Sequence, residues 1–144
     1  MTCIRVPLAT FVAMSATSNN LSLAATGKTP NVEIDLGNGT IRITGCSIPE
    51  NADRFFTPIQ DVVERYALAP RSRTSVHIAL TYFNSSTSKY LLDLLKRLED
   101  VHSAGRSQVQ MEWFYPHGDL DMKEAGEDYR SLVEFPVKLR ELSG

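Results

Sequence analysis

Residues 75–83 read SVHIALTYF, residues 84–88 read NSSTS, and residues 89–101 read KYLLDLLKRLEDV, with no break between the three segments. The first is rich in β-branched and aromatic residues. Val76, Ile78, Leu80 and Tyr82 would share one face, and His77, Ala79, Thr81 and Phe83 the other, so both faces are partly apolar. That pattern predicts an inner strand covered on at least one side. In the third segment Leu91, Leu92, Leu94, Leu95, Leu98 and Val101 recur at helical spacing, while Asp93, Lys96, Arg97, Glu99 and Asp100 fall on the opposite face. Gly105 is a natural stop for this helix. Residues 108–115 (QVQMEWFY) then alternate Val109, Met111 and Trp113 as a further strand. A strand, a helix and a second strand in this order predict two parallel strands with the helix crossing one face of their sheet.

Upstream, residues 31–36 (NVEIDL) and 40–45 (TIRITG) alternate apolar and polar positions around Gly37-Asn38-Gly39. Glycines there can supply the positive φ angles of a tight turn, which predicts an opening β-hairpin. Residues 50–67 place Phe55, Ile59, Val62, Val63 and Tyr66 on one helical face. Pro58 leaves two readings: one kinked helix, or a turn followed by a helix capped by Thr57 with Pro58 at its first position. Downstream, residues 121–133 read as a third helix with an acidic start, and residues 136–142 as an edge strand. The order is β-β-α-β-α-β-α-β, an α/β domain with a mixed, largely parallel sheet against helices. Residues 1–27 fit none of this. Met1–Thr26 has one early Arg, then a short apolar stretch broken by Pro7 and Thr10, then small residues. A secretory signal wants about 7–15 uninterrupted apolar residues. The stretch reads instead as a leader, disordered or ahead of a true start at Met14, with the single domain spanning 28–144.

A chain of 144 residues suits one domain, and 42% hydrophobic with 22% charged residues excludes a disordered tail. The formal net charge of −2, without a basic run, argues against nucleic acid or an anionic membrane as partner. No run approaches the roughly 20 apolar residues of a membrane-spanning helix. Cys3 and Cys46 are far apart and form no CxxC, which fits a reducing compartment and a cytoplasmic protein.

Catalytic chemistry finds little footing. His77 lies mid-strand, His102 near a helix end and His117 in a polar loop, none beside a motif that would make it a base. Asp119, Asp121, Glu124, Glu127 and Asp128 lack calcium-loop spacing, because Lys123 and Glu124 break it, so they read as a solvated helix face. Neither GxxxxGK nor GxGxxG occurs, and nothing basic flanks Cys46 closely. No enzyme, metal or cofactor is expected. The remaining candidate is Asn84-Ser85-Ser86-Thr87-Ser88 at a strand-to-helix junction. Helix capping accounts for one hydroxyl there. Four consecutive hydroxyls also make a turn that a kinase can enter, and a phosphate would bring about −1.5 to −2 charges to a helix N-terminus that tolerates them.

Several segments carry a family resemblance in order and spacing: Thr29-Pro30; Gly45-Cys46-Ser47-Ile48-Pro49-Glu50-Asn51; Tyr82-Phe83-Asn84-Ser85-Ser86-Thr87-Ser88-Lys89; Trp113-Phe114-Tyr115; and Glu124-Ala125-Gly126-Glu127-Asp128. Together they resemble the SiaC family of bacterial regulatory phosphoproteins, over about Lys28 to Leu139. The resemblance implies a STAS-like fold, as in anti-sigma-factor antagonists, and a non-enzymatic partner switch. It implies that the unphosphorylated form binds and activates a diguanylate cyclase, raising cyclic di-GMP and promoting biofilm. A serine/threonine kinase of anti-sigma-factor-like type and a PP2C-type phosphatase would add and remove the phosphate. The acceptor implied is Ser85, with Ser86 and Thr87 next. Partner contacts fall on Asn84, Ser86, Ser88, Pro49, Glu50 and Asn51. An alternative within the same fold is an anti-sigma-factor antagonist acting on transcription.

Overall fold

The computed structural model describes residues 20–143. Six strands and three helices follow one another as β1 (Leu21–Leu23), β2 (Asn31–Asp35), β3 (Thr40–Ser47), α1 (Ala52–Leu68), β4 (Arg73–Phe83), α2 (Ser85–Ser103), β5 (Gln108–Tyr115), α3 (Leu120–Leu132) and β6 (Val137–Glu141). The strands lie side by side in chain order. β1, β2 and β3 pair antiparallel, and β3 through β6 pair parallel. The mixed, largely parallel α/β sheet expected from the sequence is therefore present.

The expected hairpin forms, and its turn is closed by the Gly39 N–H donating to the Asp35 carbonyl at 2.9 Å. Only Gly39 needs a left-handed backbone there, with φ 68°, and a side chain would put its Cβ 2.7 Å from the Tyr66 hydroxyl. The turn thus seats the hairpin on α1 as well as reversing the chain.

Two details depart from the sequence reading, and another settles an alternative it left open. The sheet starts before Lys28: Leu21 and Leu23 pair with Ile34 and Val32, and both are half-buried on the core. Part of the assigned leader is therefore sheet, while residues 1–19 lie outside the described residues. Next, α1 is one helix that contains Pro58, whose ring sits on the solvent side. Its cap is Asn51 rather than Thr57, and its buried face carries Phe56 in full and Phe55 only in part. Finally, the β3–β4 register shifts between Gly45 and Cys46, so Ser47 pairs with Phe83. That irregularity turns Tyr82 outward, 60% exposed, and brings Phe83 edge-on to Trp113 at 6.0 Å.

All three helices cover one face of the sheet, where Val32, Ile41, Ile43, Val76, Ile78, Leu80, Val109, Met111 and Trp113 meet the helical apolar stripes in one core. Burying a Val, Leu or Ile side chain is worth about 1.5–3 kcal/mol, so this layer dominates the stability. The crossovers place the first turns of α1 and α2 together at the carboxyl ends of β3 and β4. Ligand sites of open α/β sheets commonly lie at that end.

Candidate functional site

Asn84 leaves β4 in extended geometry (φ −93°, ψ 176°) and caps α2, its side-chain oxygen accepting from the Thr87 N–H at 2.9 Å. Its own N–H donates to the Ser47 carbonyl at 3.2 Å, and its carbonyl accepts from the Ser88 N–H at 3.0 Å. This cap fixes where each hydroxyl of the turn points. Thr87 is fully buried and donates to the Ser47 carbonyl at 3.0 Å, with the Ser47 hydroxyl 2.9 Å away. Ser88 is half-buried and receives the Tyr129 hydroxyl on its carbonyl (2.8 Å) and on its Oγ (3.1 Å). Ser85 and Ser86 remain exposed, and their side chains make no hydrogen bond among the described residues. Of the three acceptors considered from sequence, Thr87 is thus closed to a kinase by burial, and Ser85 and Ser86 are open.

The electrostatics of the turn suit an anion at Ser85. The first N–H groups of a helix have no intrahelical partner, and the cap uses only those of Thr87 and Ser88. No acidic residue lies in the first turn of α2. Ser85 also lies on the lip of a groove of about 410 Å³ between α2 and α3, together with Ser88 and Lys89 on one side and Asp128 and Tyr129 on the other. Phe83, Leu92 and Leu132 give that groove an apolar floor. Burial pushes the Tyr129 phenol up, partly offset by its bond to Ser88, so it stays a hydroxyl donor.

The second predicted contact segment reaches the same end of the sheet but faces another groove. Pro49 is buried, and Asn51 caps α1 by accepting from the Arg54 N–H at 3.0 Å. Glu50 is exposed, and the Lys28 ammonium 2.6 Å away holds its carboxyl below the usual range. These residues border an apolar groove with Leu23 and Phe55. Two contacts tie the segments together: the Tyr90 hydroxyl donates to Asp53 at 3.0 Å, and Tyr90 stacks on Phe56 at 4.9 Å. Ser47, Tyr90 and Tyr129 are the structural partners that sequence reasoning missed. The Ser47–Thr87 bond spans 40 residues, a separation with no local signal.

The histidines are engaged elsewhere. His102 accepts from the Val109 N–H at 3.1 Å, His117 faces Glu141 at 3.4 Å, and His77 faces Glu112 at 3.4 Å on the helix-free side of the sheet. Among the described residues no three His, Cys, Asp or Glu side chains gather to hold a metal, and no helix is long and apolar enough to cross a membrane.

The model of the family described as SiaC family regulatory phosphoprotein matches residues 23–142. The chain belongs to the SiaC family. This SiaC-family chain is similar to an uncharacterised protein of Pseudomonas aeruginosa strain UCBPP-PA14, 30% identical over 122 residues, covering 85% of this chain and 96% of the relative. Among solved structures it is similar to the complex of the diguanylate cyclase SiaD with its activator SiaC from Pseudomonas aeruginosa. There the TM-score is 0.80 at 30% identity, covering 85% of this chain and 99% of the other. Apo-SiaC from the same organism matches with a TM-score of 0.76 at 28% identity, covering 84% and 98%.

Proposed function

We propose that this SiaC-family protein is a non-enzymatic phosphoswitch. Its unphosphorylated form binds and activates a diguanylate cyclase, and phosphate on Ser85 releases the cyclase. A serine/threonine kinase of anti-sigma-factor-like type adds the phosphate and a PP2C-type phosphatase removes it, in the cytoplasm. Cyclic di-GMP output, and with it biofilm growth, then follows the fraction of bare Ser85. The solved complex of a similar SiaC with SiaD favours a cyclase over an anti-sigma factor as partner.

One observation carries the choice of residue: Ser85 is the exposed hydroxyl that opens α2 and also borders the α2–α3 groove. A phosphate there meets free N–H groups and the positive end of the helix dipole, so the domain itself tolerates it. A partner docked over the groove has to desolvate the same charge, and burying an incompletely paired charge at an interface costs about 2–5 kcal/mol. The charge acts on binding, and the fold is left intact.

Ser85→Ala and Ser85→Asp, titrated against the cyclase by calorimetry, test this. Ser85→Ala is expected to bind like wild type and Ser85→Asp at least about tenfold more weakly. Both should keep the wild-type melting temperature. Ser86 lies outside the groove lining, so Ser86→Asp is expected to weaken binding less. Equal binding by Ser85→Asp and wild type would overturn the mechanism.

A further inference from the structure

The second face of the sheet carries no helix. Parallel sheets are almost always covered on both faces, yet β3 through β6 run parallel here with one side bare. Strand register sets Glu33, Arg42, His77, Glu112 and Lys138 in one row across that face, on β2, β3, β4, β5 and β6. The charges alternate from one edge to the other: acidic, basic, imidazole, acidic, basic. Glu112 is paired with Arg140, whose guanidinium bond holds its carboxyl below the usual range. Glu33, Arg42 and Lys138 are exposed and form no ion pair among the described residues.

The row has a symmetry property. Reversed end to end, it presents the opposite sign at every charged position. A two-fold axis running along β4, within about 15° of it, and passing at His77 performs that reversal. We propose that this face binds a second copy of the chain, sheet against sheet, about such an axis. Glu33 of one copy then meets Lys138 of the other, Arg42 meets Glu112, and His77 meets its counterpart. On the next row Thr44 meets Phe114, and Ala79 meets Ala79. β4 lies on the axis, where each residue meets itself; Ser75, His77 and Ala79 carry no carboxylate, ammonium or guanidinium there. The exposed Arg73, also outward, stands at the strand's first position, about 13 Å along the strand from His77, where it meets its own twin at the rim of the face.

The dimensions fit. Strands are about 4.8 Å apart, so Glu33 and Lys138 sit about 10 Å to either side of the axis. Packed sheets cross at about 30°, which displaces the ends of the row by about 5 Å, within reach of Glu and Lys side chains. An interface of this kind is isologous, as in most dimers of identical chains. It also leaves the Ser85 turn free, so it does not depend on the switch proposed above.

Charge reversal tests the pairing. Glu33→Lys and Lys138→Glu each place like charges opposite one another twice per dimer, while a mixture of the two variants restores opposite signs at both contacts. Sedimentation velocity on the intact chain, up to about 100 µM, is expected to show wild type dimerising with concentration. Each variant alone should dimerise at least about tenfold more weakly, and an equimolar mixture should recover the wild-type association. Circular dichroism checks that both variants are folded. A wild type that stays monomeric, variants that dimerise as well as wild type, or a mixture that fails to recover would each overturn the proposal. So would loss of cyclase binding by Glu33→Lys in a monomeric wild-type background, which would assign the face to the cyclase.

Discussion

The Thr87 hydroxyl lies 3.0 Å from the Ser47 carbonyl and 2.9 Å from the Ser47 hydroxyl, with both residues fully buried. Its neighbour Ser86 differs by one methyl group in chemistry and entirely in surroundings, being exposed. Thr87→Val keeps the shape but leaves the Ser47 polar atoms short of a partner, a loss worth about 1–3 kcal/mol. Ser86→Ala, at an exposed position, is expected to stay within about 0.5 kcal/mol. Urea denaturation of both variants checks this; equal stability would mean that the Ser47–Thr87 bond contributes nothing net. The sequence showed the turn and that it is capped, but pointed to one of the hydroxyls as the cap, a role the structure gives to Asn84. It could not rank the hydroxyls, since what separates Thr87 from Ser85 is a strand end 40 residues away.

The packing of α3 on β5 turns on Gly126. A Cβ at this position would stand 2.8 Å from Cγ and from Nε1 of Trp113, closer than real contacts allow. The indole cannot yield, because it is fully buried, its Nε1 donates to the Met122 carbonyl at 2.9 Å, and Phe83 and Tyr129 pack on it at 6.0 and 5.3 Å. Alanine in a helix is normally worth about 1 kcal/mol over glycine, while overpacking a core costs about 1–3 kcal/mol. Because the clash is with a locked ring, the overpacking cost falls at the upper end, and Gly126→Ala is expected to lose about 1–2 kcal/mol net. Chemical denaturation followed by fluorescence reads this directly, since Trp113 is the chain's one tryptophan. A stabilised variant would show that α3 shifts freely on the sheet. Seen this way, the Trp113 and Gly126 segments that resemble the family are two halves of one packing contact. Element type was legible along this region, from alternation in β5 and acidic residues at the start of α3. The irregularity that exchanges Tyr82 for Phe83 was not, because strict alternation is what a shifted register interrupts.

For the molecule as a whole, the boundary of the folded unit is the feature least visible in one dimension. Leu21-Ser22-Leu23 is three residues long, flanked by Asn20 and Ala24, and carries too few positions for a period to emerge. It is a strand because β2 offers a free edge and because Leu21 and Leu23 find the core there. The Asn20 side chain adds a tie by accepting from the Leu36 N–H at 2.9 Å. A chain beginning at Lys28 loses this bond and the half-burial of two leucines, together about 2 kcal/mol. It also bares the edge of β2, an open template for pairing with other chains. Compared with a chain beginning at Asn20, it should unfold at lower urea by that margin and aggregate sooner on concentration. Denaturation curves and light scattering on the two chains decide the matter. If they superimpose, β1 is an ornament on the sheet and the domain begins at Lys28; if they separate as expected, the unit that carries the Ser85 turn begins with β1.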